Sequence, residues 1–354
     1  MINILKSEVR LSDITTIKLG GTAKYFAQFN NIFELKELLL FAKNEKLPAQ
    51  ITGGGSNIIF PDEGYKGIVL RNHIKEFSYE VFGEDVILKV GAGNNWDEVV
   101  KFCVNEGFQG IECLSGIPGS TGATPIQNVG AYGQEVSDVI LGIEAYRIED
   151  NSLVTFNNHE CGFGYRTSIF KREQKNKYIV TEVIFKLHLN REPNVRYKDL
   201  ADEIQKDNNY NNLSNTDKLK FVREKILEIR RRKSMVVDSN DANTVSCGSF
   251  FLNPVLNEEE YKIFEENLFH FPLKPKIFKT ENGYKIPAAW LIENSGFYKG
   301  YNKNGAAISD KHSLALVNRG CTTGQLLELA NEIESKVKQF FGIQLYKEPV
   351  IINY

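Results

Sequence analysis

Gly116-Ile117-Pro118-Gly119-Ser120-Thr121-Gly122-Ala123-Thr124-Pro125-Ile126-Gln127-Asn128-Val129-Gly130-Ala131-Tyr132-Gly133 is the stretch whose reading decides the fold. Glycine costs backbone entropy in a helix and proline breaks its ladder, so this segment reads as loop. A loop of glycine and small hydroxyl residues brings many N–H groups close to a ligand, which suits a phosphate or the edge of a heteroaromatic ring. A second such run, Gly53-Gly54-Gly55-Ser56-Asn57, lies upstream. Each follows an apolar, strand-like run, Ala49-Gln50-Ile51-Thr52 and Ile111-Glu112-Cys113-Leu114. A single GGGS reads as an ordinary surface turn. The pair together points to a large ligand with a diphosphate and a ring. Neither loop continues into Gly-Lys-Ser/Thr, so neither is a Walker A motif. Gly91-Ala92-Gly93 stops without a third glycine at the Rossmann distance. A nucleotide cofactor held without Rossmann spacing implies a different flavin-binding architecture.

The 354 residues, 42% of them hydrophobic, suffice for two or three modules with real cores. A net charge of −2 gives no field that would attract nucleic acid or a membrane. Five cysteines, Cys103, Cys113, Cys161, Cys247 and Cys321, include no C-x-x-C pair, and a reduced, cytosolic setting accounts for them most simply. The five histidines show no metal-ligand spacing, so no metal is expected. The start of the chain lacks the apolar core of a signal peptide, and no apolar run approaches a membrane span.

Apolar residues at helical spacing predict a helix over Leu35 to Ala42, and others near Trp96–Asn105, Phe221–Arg232, Glu258–Asn267 and Thr323–Phe340. Ile51, Ile58-Ile59-Phe60 and Ile68-Val69-Leu70 read as strands, as do the alternating runs 85–90 and 178–185. Ser249 to Leu252 and the end from Gly342 to Ile352 read as strand-like. Lys206 to Lys218, dominated by Asp, Asn, Tyr and Ser, reads as an exposed linker or elaborated loop.

Few side chains stand out as chemistry. Ser249, between Gly248 and Phe250-Phe251, reads as a shielded hydroxyl or a turn serine, and lacks the G-x-S-x-G setting of a hydrolase nucleophile. Arg166 follows an aromatic-glycine turn, Phe163-Gly164-Tyr165, where a cation can steady an anion. Glu348 precedes the apolar Val350-Ile351-Ile352; buried near a cation, it could orient or protonate a reacting group. Arg230-Arg231-Arg232-Lys233 reads as a phosphate site or a solvated helix face.

Taken together, these stretches resemble the MurB family, the UDP-N-acetylenolpyruvoylglucosamine reductases of bacterial peptidoglycan synthesis. The carriers are Thr16-Ile17-Lys18-Leu19-Gly20-Gly21, Gly53 to Asn57, Ile117 to Gly133, Phe163-Gly164-Tyr165-Arg166, Gly248 to Pro254 and Leu345-Tyr346-Lys347-Glu348-Pro349. The resemblance implies an α+β enzyme. Its FAD-binding domain would be of the vanillyl-alcohol-oxidase/PCMH type, in two subdomains over 1–72 and 73–205. A C-terminal α+β substrate domain would cover 219–342, with the final strand 343–354 returning to the first part. The implied reaction has NADPH reduce non-covalent FAD, which then passes hydride to the enolpyruvyl ether. The family's catalytic positions fall on Arg166 and Glu348, which would stabilise the enolate, and on Ser249, which would protonate it. The cofactor positions fall on Gly53, Gly54, Gly55, Ser56, Asn57, Gly119, Ser120, Thr124, Pro125, Gln127, Asn128, Gly130, Ala131 and Tyr132. Substrate positions fall on Tyr197, Lys233, Asn253 and His312, as in the longer subgroup that carries a tyrosine loop. The expected partners are the UDP-sugar and NADPH alone, with the enzyme a cytoplasmic monomer active in cell wall growth, cell shape and division. Two departures are visible: Val350 stands where some relatives have arginine, and His312 where some have glutamine.

Two other readings compete. A sugar or alcohol oxidase on the same scaffold would reduce oxygen and need no acid at Ser249. A nucleotide-sugar-binding protein without catalysis would need none of Arg166, Ser249 and Glu348.

Overall fold

The computed structural model describes residues 4–353. The architecture is α+β, in two compact units. One comprises the chain up to Val9, Ala23–Gly55 and Tyr65–Val236; the other comprises Arg10–Thr22, Ser56–Gly64 and the chain from Val237 onward.

Two larger sheets, beside the short pair Gly130–Ala131 and Gln134–Glu135, organise the first unit. The smaller runs in the order Lys6–Arg10, Thr22–Phe29, Tyr65–Asn72, Ala49–Thr52. Its last three strands are parallel, with Ala27 and Ile51 both opposite Leu70. Parallel strands need a crossover, here the helix Ile32–Asn44. Asn31 caps that helix by accepting from the Glu34 N–H at 3.0 Å. Its buried residues Leu35, Leu38 and Ala42 follow the helical period that the sequence displays.

The larger, six-stranded sheet is antiparallel, in the order Ser152–Asn157, Ile140–Arg147, Tyr178–Leu189, Asp85–Gly91, Phe77–Phe82. The short strand Phe108–Gln109 also pairs with Tyr178–Leu189. Register Val183↔Val90 and Phe185↔Leu88 turns alternate apolar residues to one face. There they meet Trp96, Val99, Val100, Cys103 and Val104 of the helix Trp96–Glu106.

The polar stretch 206–218 is folded into this unit. Tyr210 is buried in a small core with Cys113, Leu200, Ile204, Val222 and Ile226. The helix that follows starts at Asn215, six residues before the expected Phe221, because Ser214 accepts from the Asp217 N–H and caps it there. Its Leu219, Val222, Ile226 and Ile229 form the buried stripe.

In the second unit the helix Thr323–Phe341 is the main element. A Thr322/Gln325 capping box opens it, and Gly342 closes it with a left-handed φ of 70°. Asp62 accepts from the Thr323 and Gly324 N–H groups at 2.8 and 2.9 Å, a carboxylate at the positive end of the helix. Leu326, Leu329, Ala330, Ile333 and Val337 pack with Ile59, Phe250, Phe251, Leu291 and Ile292. The strand Val350–Ile351 pairs in parallel with Ile58–Ile59. The rest of 342–352 forms no other strand, and Pro349 has no N–H to give a ladder. Ser249–Leu252 likewise forms single contacts, with Phe251 bridged to Lys347, rather than the strand its residues suggest.

Candidate active site

The two glycine loops of the first unit touch. A Cβ on Gly53 would fall on the Ser120 hydroxyl, and one on Gly54 would come within 2.9 Å of the Gly119 Cα. A side chain at either position would drive the loops apart. The Gly91–Asn94 turn braces the longer loop: Gly122 N donates to Ala92 O at 2.9 Å and Thr121 N to Asn94 O at 2.9 Å. The N–H groups of Gly53, Gly54 and Gly55 donate to no protein acceptor among the described residues. Free backbone donors in succession, with no side chains in the way, fit an anion such as the diphosphate of FAD.

Not every residue of the longer loop offers its side chain. Thr124 Oγ1 donates to Thr121 O at 2.8 Å and is buried. Asn128 is 1% exposed; its amide donates to Glu135 Oε2 and Gly164 O, and its carbonyl accepts from Ser137 N. Asn128 therefore shapes the loop from within. Ser120 and Pro125 are buried, while Gln127, Gly130, Ala131 and Tyr132 are half-buried.

Asp97 sits beneath the loop at the first turn of its helix. It takes both guanidinium nitrogens of Arg223 at 2.7 and 2.8 Å and the Gly116 N–H at 2.6 Å. Burial alone would raise its pKa, but the Arg223 and Gly116 hydrogen bonds outweigh burial and hold it below the usual carboxylate range. Arg230 is buried beside it, donating to Gly116 O and Met235 O. Burial lowers the Arg230 pKa, against the opposing pull of Tyr132 and Asp97.

Arg166 reaches back to the far end of the loop. Its guanidinium donates to Gly130 O and to Asn128 O, the latter at 3.3 Å, and lies 3.6 Å from Glu135 Oε1. Tyr132 meets Tyr197 edge-on, with centroids 5.3 Å apart. Burial raises both phenol pKa values. Tyr197 precedes the helix Lys198–Ile204, and Lys233 pairs with Asp199 of that helix at 3.3 Å. The structure thus gathers Tyr132, Tyr197 and Lys233 about one short helix.

In the second unit, Ser249 follows Gly248, whose φ is 74°. Phe250 N donates to Leu314 O at 2.7 Å, and Glu348 N donates to Phe250 O at 2.9 Å. Ser249 and Glu348 thus lie on chain segments that run side by side, both half-buried. Glu348 O accepts from the Asn57 amide at 3.5 Å, and Val350 N donates to Asn57 O at 3.0 Å, so the end of the first glycine run meets the Glu348 segment. Asn253 uses its carbonyl to accept from Ala288 N at 2.9 Å, at the first residue of the helix Ala288–Glu293. His312 Nδ1 accepts from Leu314 N at 3.3 Å. Among the described residues no group of three or more His, Cys, Asp or Glu could hold a metal ion, and no helix is long and apolar enough to cross a membrane.

Sequence reading passed over Glu135 and Asp97. A carboxylate two residues past Gly133 was the only signal for the first, and an acidic residue in a helix's first turn for the second.

Comparison with known proteins follows the same pattern. The C-terminal domain model of UDP-N-acetylenolpyruvoylglucosamine reductase matches residues 240–352, and an FAD binding domain model matches residues 23–157. The UDP-N-acetylenolpyruvoylglucosamine reductase of Thermobifida fusca is 41% identical over 98% of this chain and 97% of its own. That of Flavobacterium johnsoniae is 36% identical over 98% and 99%. The structure resembles that of MurB from Thermus caldophilus with a TM-score of 0.66 at 23% identity, covering 99% of this chain and all of the other, a likeness of fold.

Proposed function

The chain belongs to the UDP-N-acetylenolpyruvoylglucosamine reductase family, and from that premise we propose that it reduces UDP-N-acetylenolpyruvoylglucosamine to UDP-N-acetylmuramate for peptidoglycan synthesis, with FAD as cofactor and NADPH as donor, as a cytoplasmic monomer. The observation that carries the reading is the meeting of the two glycine loops, with the N–H groups of Gly53, Gly54 and Gly55 unspent and Arg166 anchored at the loop's far end. Bound there, FAD supplies a two-electron relay from NADPH to the enol ether.

The chain's own residues do the rest. Gly53, Gly54 and Gly55 would hold the diphosphate through backbone N–H groups, with Ser56 and Asn57 completing the run. Gly119, Ser120, Thr124, Pro125 and Gln127 shape the cradle, and Gly130, Ala131 and Tyr132 its end. Adding hydride to an enol ether that carries a carboxylate pushes negative charge onto that carboxylate as an enolate. Arg166 stabilises that charge, and its anchoring means little reorganisation is needed when the charge develops. Glu348 shares the proton and charge of the same group. Ser249 delivers a proton to the enolate carbon, a task a weak acid performs only when held in place beside a strong base. Tyr197 and Lys233 bind the nucleotide diphosphate of the substrate and the phosphates of NADPH, with Asn253 and His312 on the substrate in the second unit.

Purified protein should be yellow and should release its flavin on acid precipitation. NADPH should bleach it and the enolpyruvyl UDP-sugar should restore the colour, with UDP-N-acetylmuramate found by mass spectrometry. A protein that takes up no FAD on reconstitution, or that is reoxidised by oxygen alone, would refute the assignment.

A further inference from the structure

Arg166 is held in an unusual way. Its backbone is left-handed, with φ 52°, a conformation that side-chain-bearing residues seldom adopt. Such a conformation persists only where the surroundings over-determine it. The two carbonyls it reaches, Asn128 O and Gly130 O, lie on the glycine loop. Carbonyls alone leave a long, five-donor side chain free to trade them for water. Glu135 adds the charge.

The Glu135 carboxylate serves Arg166 and Asn128 besides its place in a capping box with Asp138. One oxygen lies 3.6 Å from Arg166 Nη1, and the other accepts from the Asn128 amide at 2.7 Å. That amide also donates to Gly164 O at 3.1 Å, two residues before Arg166. Glu135 is itself fixed: its N–H donates to Asp138 Oδ2 at 2.9 Å in a capping box, and it sits opposite Gly130 in a short antiparallel pair. A Cβ on Gly130 would meet Glu135 Cγ at 2.7 Å and Arg166 Nη1 at 2.9 Å, so the three residues interlock. The Glu135 side chain is 37% exposed and that of Arg166 20%. An ion pair this open to water contributes little to folding. Its geometric value is larger, because a catalytic cation displaced by about 1 Å can cost on the order of 10²-fold in rate.

We propose that Glu135 is the positioning residue of Arg166, tying the guanidinium to the 128–130 loop in the orientation that meets the enolate. This rests on the reading of Arg166 given above. Glu135 touches neither reacting carbon nor proton; it acts through Arg166.

The test is stopped-flow absorbance of the FAD-loaded protein, parent against Glu135→Ala, Glu135→Gln and Arg166→Ala. Glu135→Ala should reduce with NADPH at the parent rate, yet reoxidise with the UDP-sugar roughly 10–100-fold more slowly. Glu135→Gln, which keeps an acceptor for the Asn128 amide, should recover part of that loss. Added to Arg166→Ala, the Glu135→Ala change should cost nothing further. Parent-rate reoxidation in Glu135→Ala beside slow reoxidation in Arg166→Ala would overturn the positioning role and leave the reading of Arg166 standing. Parent-rate reoxidation in both would overturn that reading, and this proposal with it. Equal slowing of both half-reactions would show a merely structural residue. If Glu135→Ala does not retain FAD, Glu135→Asp gives the same readout, with slowed reoxidation alone expected and the parent rate overturning the role.

Discussion

Asn128, Tyr132 and Arg166 all adopt positive φ, at 46°, 50° and 52°. Asparagine tolerates that region; tyrosine and arginine do so only when neighbours hold them there. All three lie on or against the glycine loop, where the cofactor is proposed to sit. Tyr197 and Lys233 are different: Tyr197 is exposed at 38%, and Lys233 pairs with Asp199 at the surface. Removing an exposed pair alters stability by at most about 1 kcal/mol. Tyr197→Phe and Lys233→Ala should therefore leave the melting temperature near that of the parent and raise KM for the UDP-sugar and NADPH, with kcat largely kept. Unchanged KM with a collapsed kcat would show both to be misassigned. Sequence reading nominates these residues through the motifs around them. It could not find what their side chains touch. Asn128 reads as a ligand contact in sequence, and its amide bonds Glu135, Gly164 and Ser137 within the protein, while Asn253 gives its side-chain carbonyl to Ala288 N. Glu135 was passed over because its partner lies 31 residues on, beyond any local pattern.

Among elements, long helices with a clear apolar stripe were legible within a few residues. Thr323–Phe341 is the clearest, with a capping box at one end and glycine at the other. The helix Asn215–Arg232 was legible only in part, because its first turn is made of residues that favour loops unless a cap fixes them. Ser249–Leu252 misled, since its aromatic residues serve the core rather than a ladder. The contact of the glycine loops gives a prediction at this scale. Gly53→Ala puts a methyl on the Ser120 hydroxyl and forces one loop to move. The purified variant should carry well below half the parent's flavin by absorbance, with far-UV circular dichroism unchanged; full occupancy would show that the loops do not form the cradle. Asp97 gives another. Its folded pKa lies below the unfolded value, so its contribution is present above the ordinary carboxylate range and is lost as pH falls through the folded pKa. Asp97→Asn should cost roughly 2–3 kcal/mol in urea unfolding at neutral pH, because it leaves Arg223 without its charge partner. The gap between parent and variant should narrow on acidification below about pH 4, near the ordinary aspartate value. A gap that does not depend on pH would refute the ion-pair account.

On the scale of the molecule, the chain does not divide where its composition changes. Residues 10–22 and 56–64 leave the N-terminal portion to fold with the chain beyond Val237. The strand Val350–Ile351 closes on Ile58–Ile59 in that second unit. Composition could not show this, because Ile58-Ile59-Phe60 reads as a strand of whichever sheet lies nearest in sequence. The proposed machinery is divided in the same way: Arg166, Tyr197 and Lys233 belong to the first unit, and Ser249, Asn253, His312 and Glu348 to the second. The two halves of the proposed reaction can be tested apart by their chemistry, since residues of both units are assigned to the second half. In the proposed reaction, reduction of FAD by NADPH delivers no proton to carbon, whereas quenching the enolate does. The measurement that bears most directly on the account is anaerobic stopped-flow absorbance of Ser249→Ala. The account predicts flavin reduction by NADPH at the parent rate and reoxidation by the UDP-sugar slowed on the order of 10²–10⁴-fold, the usual cost of losing a positioned proton donor. Reoxidation as fast as in the parent would make Ser249 an ordinary turn residue and contradict the proposed mechanism.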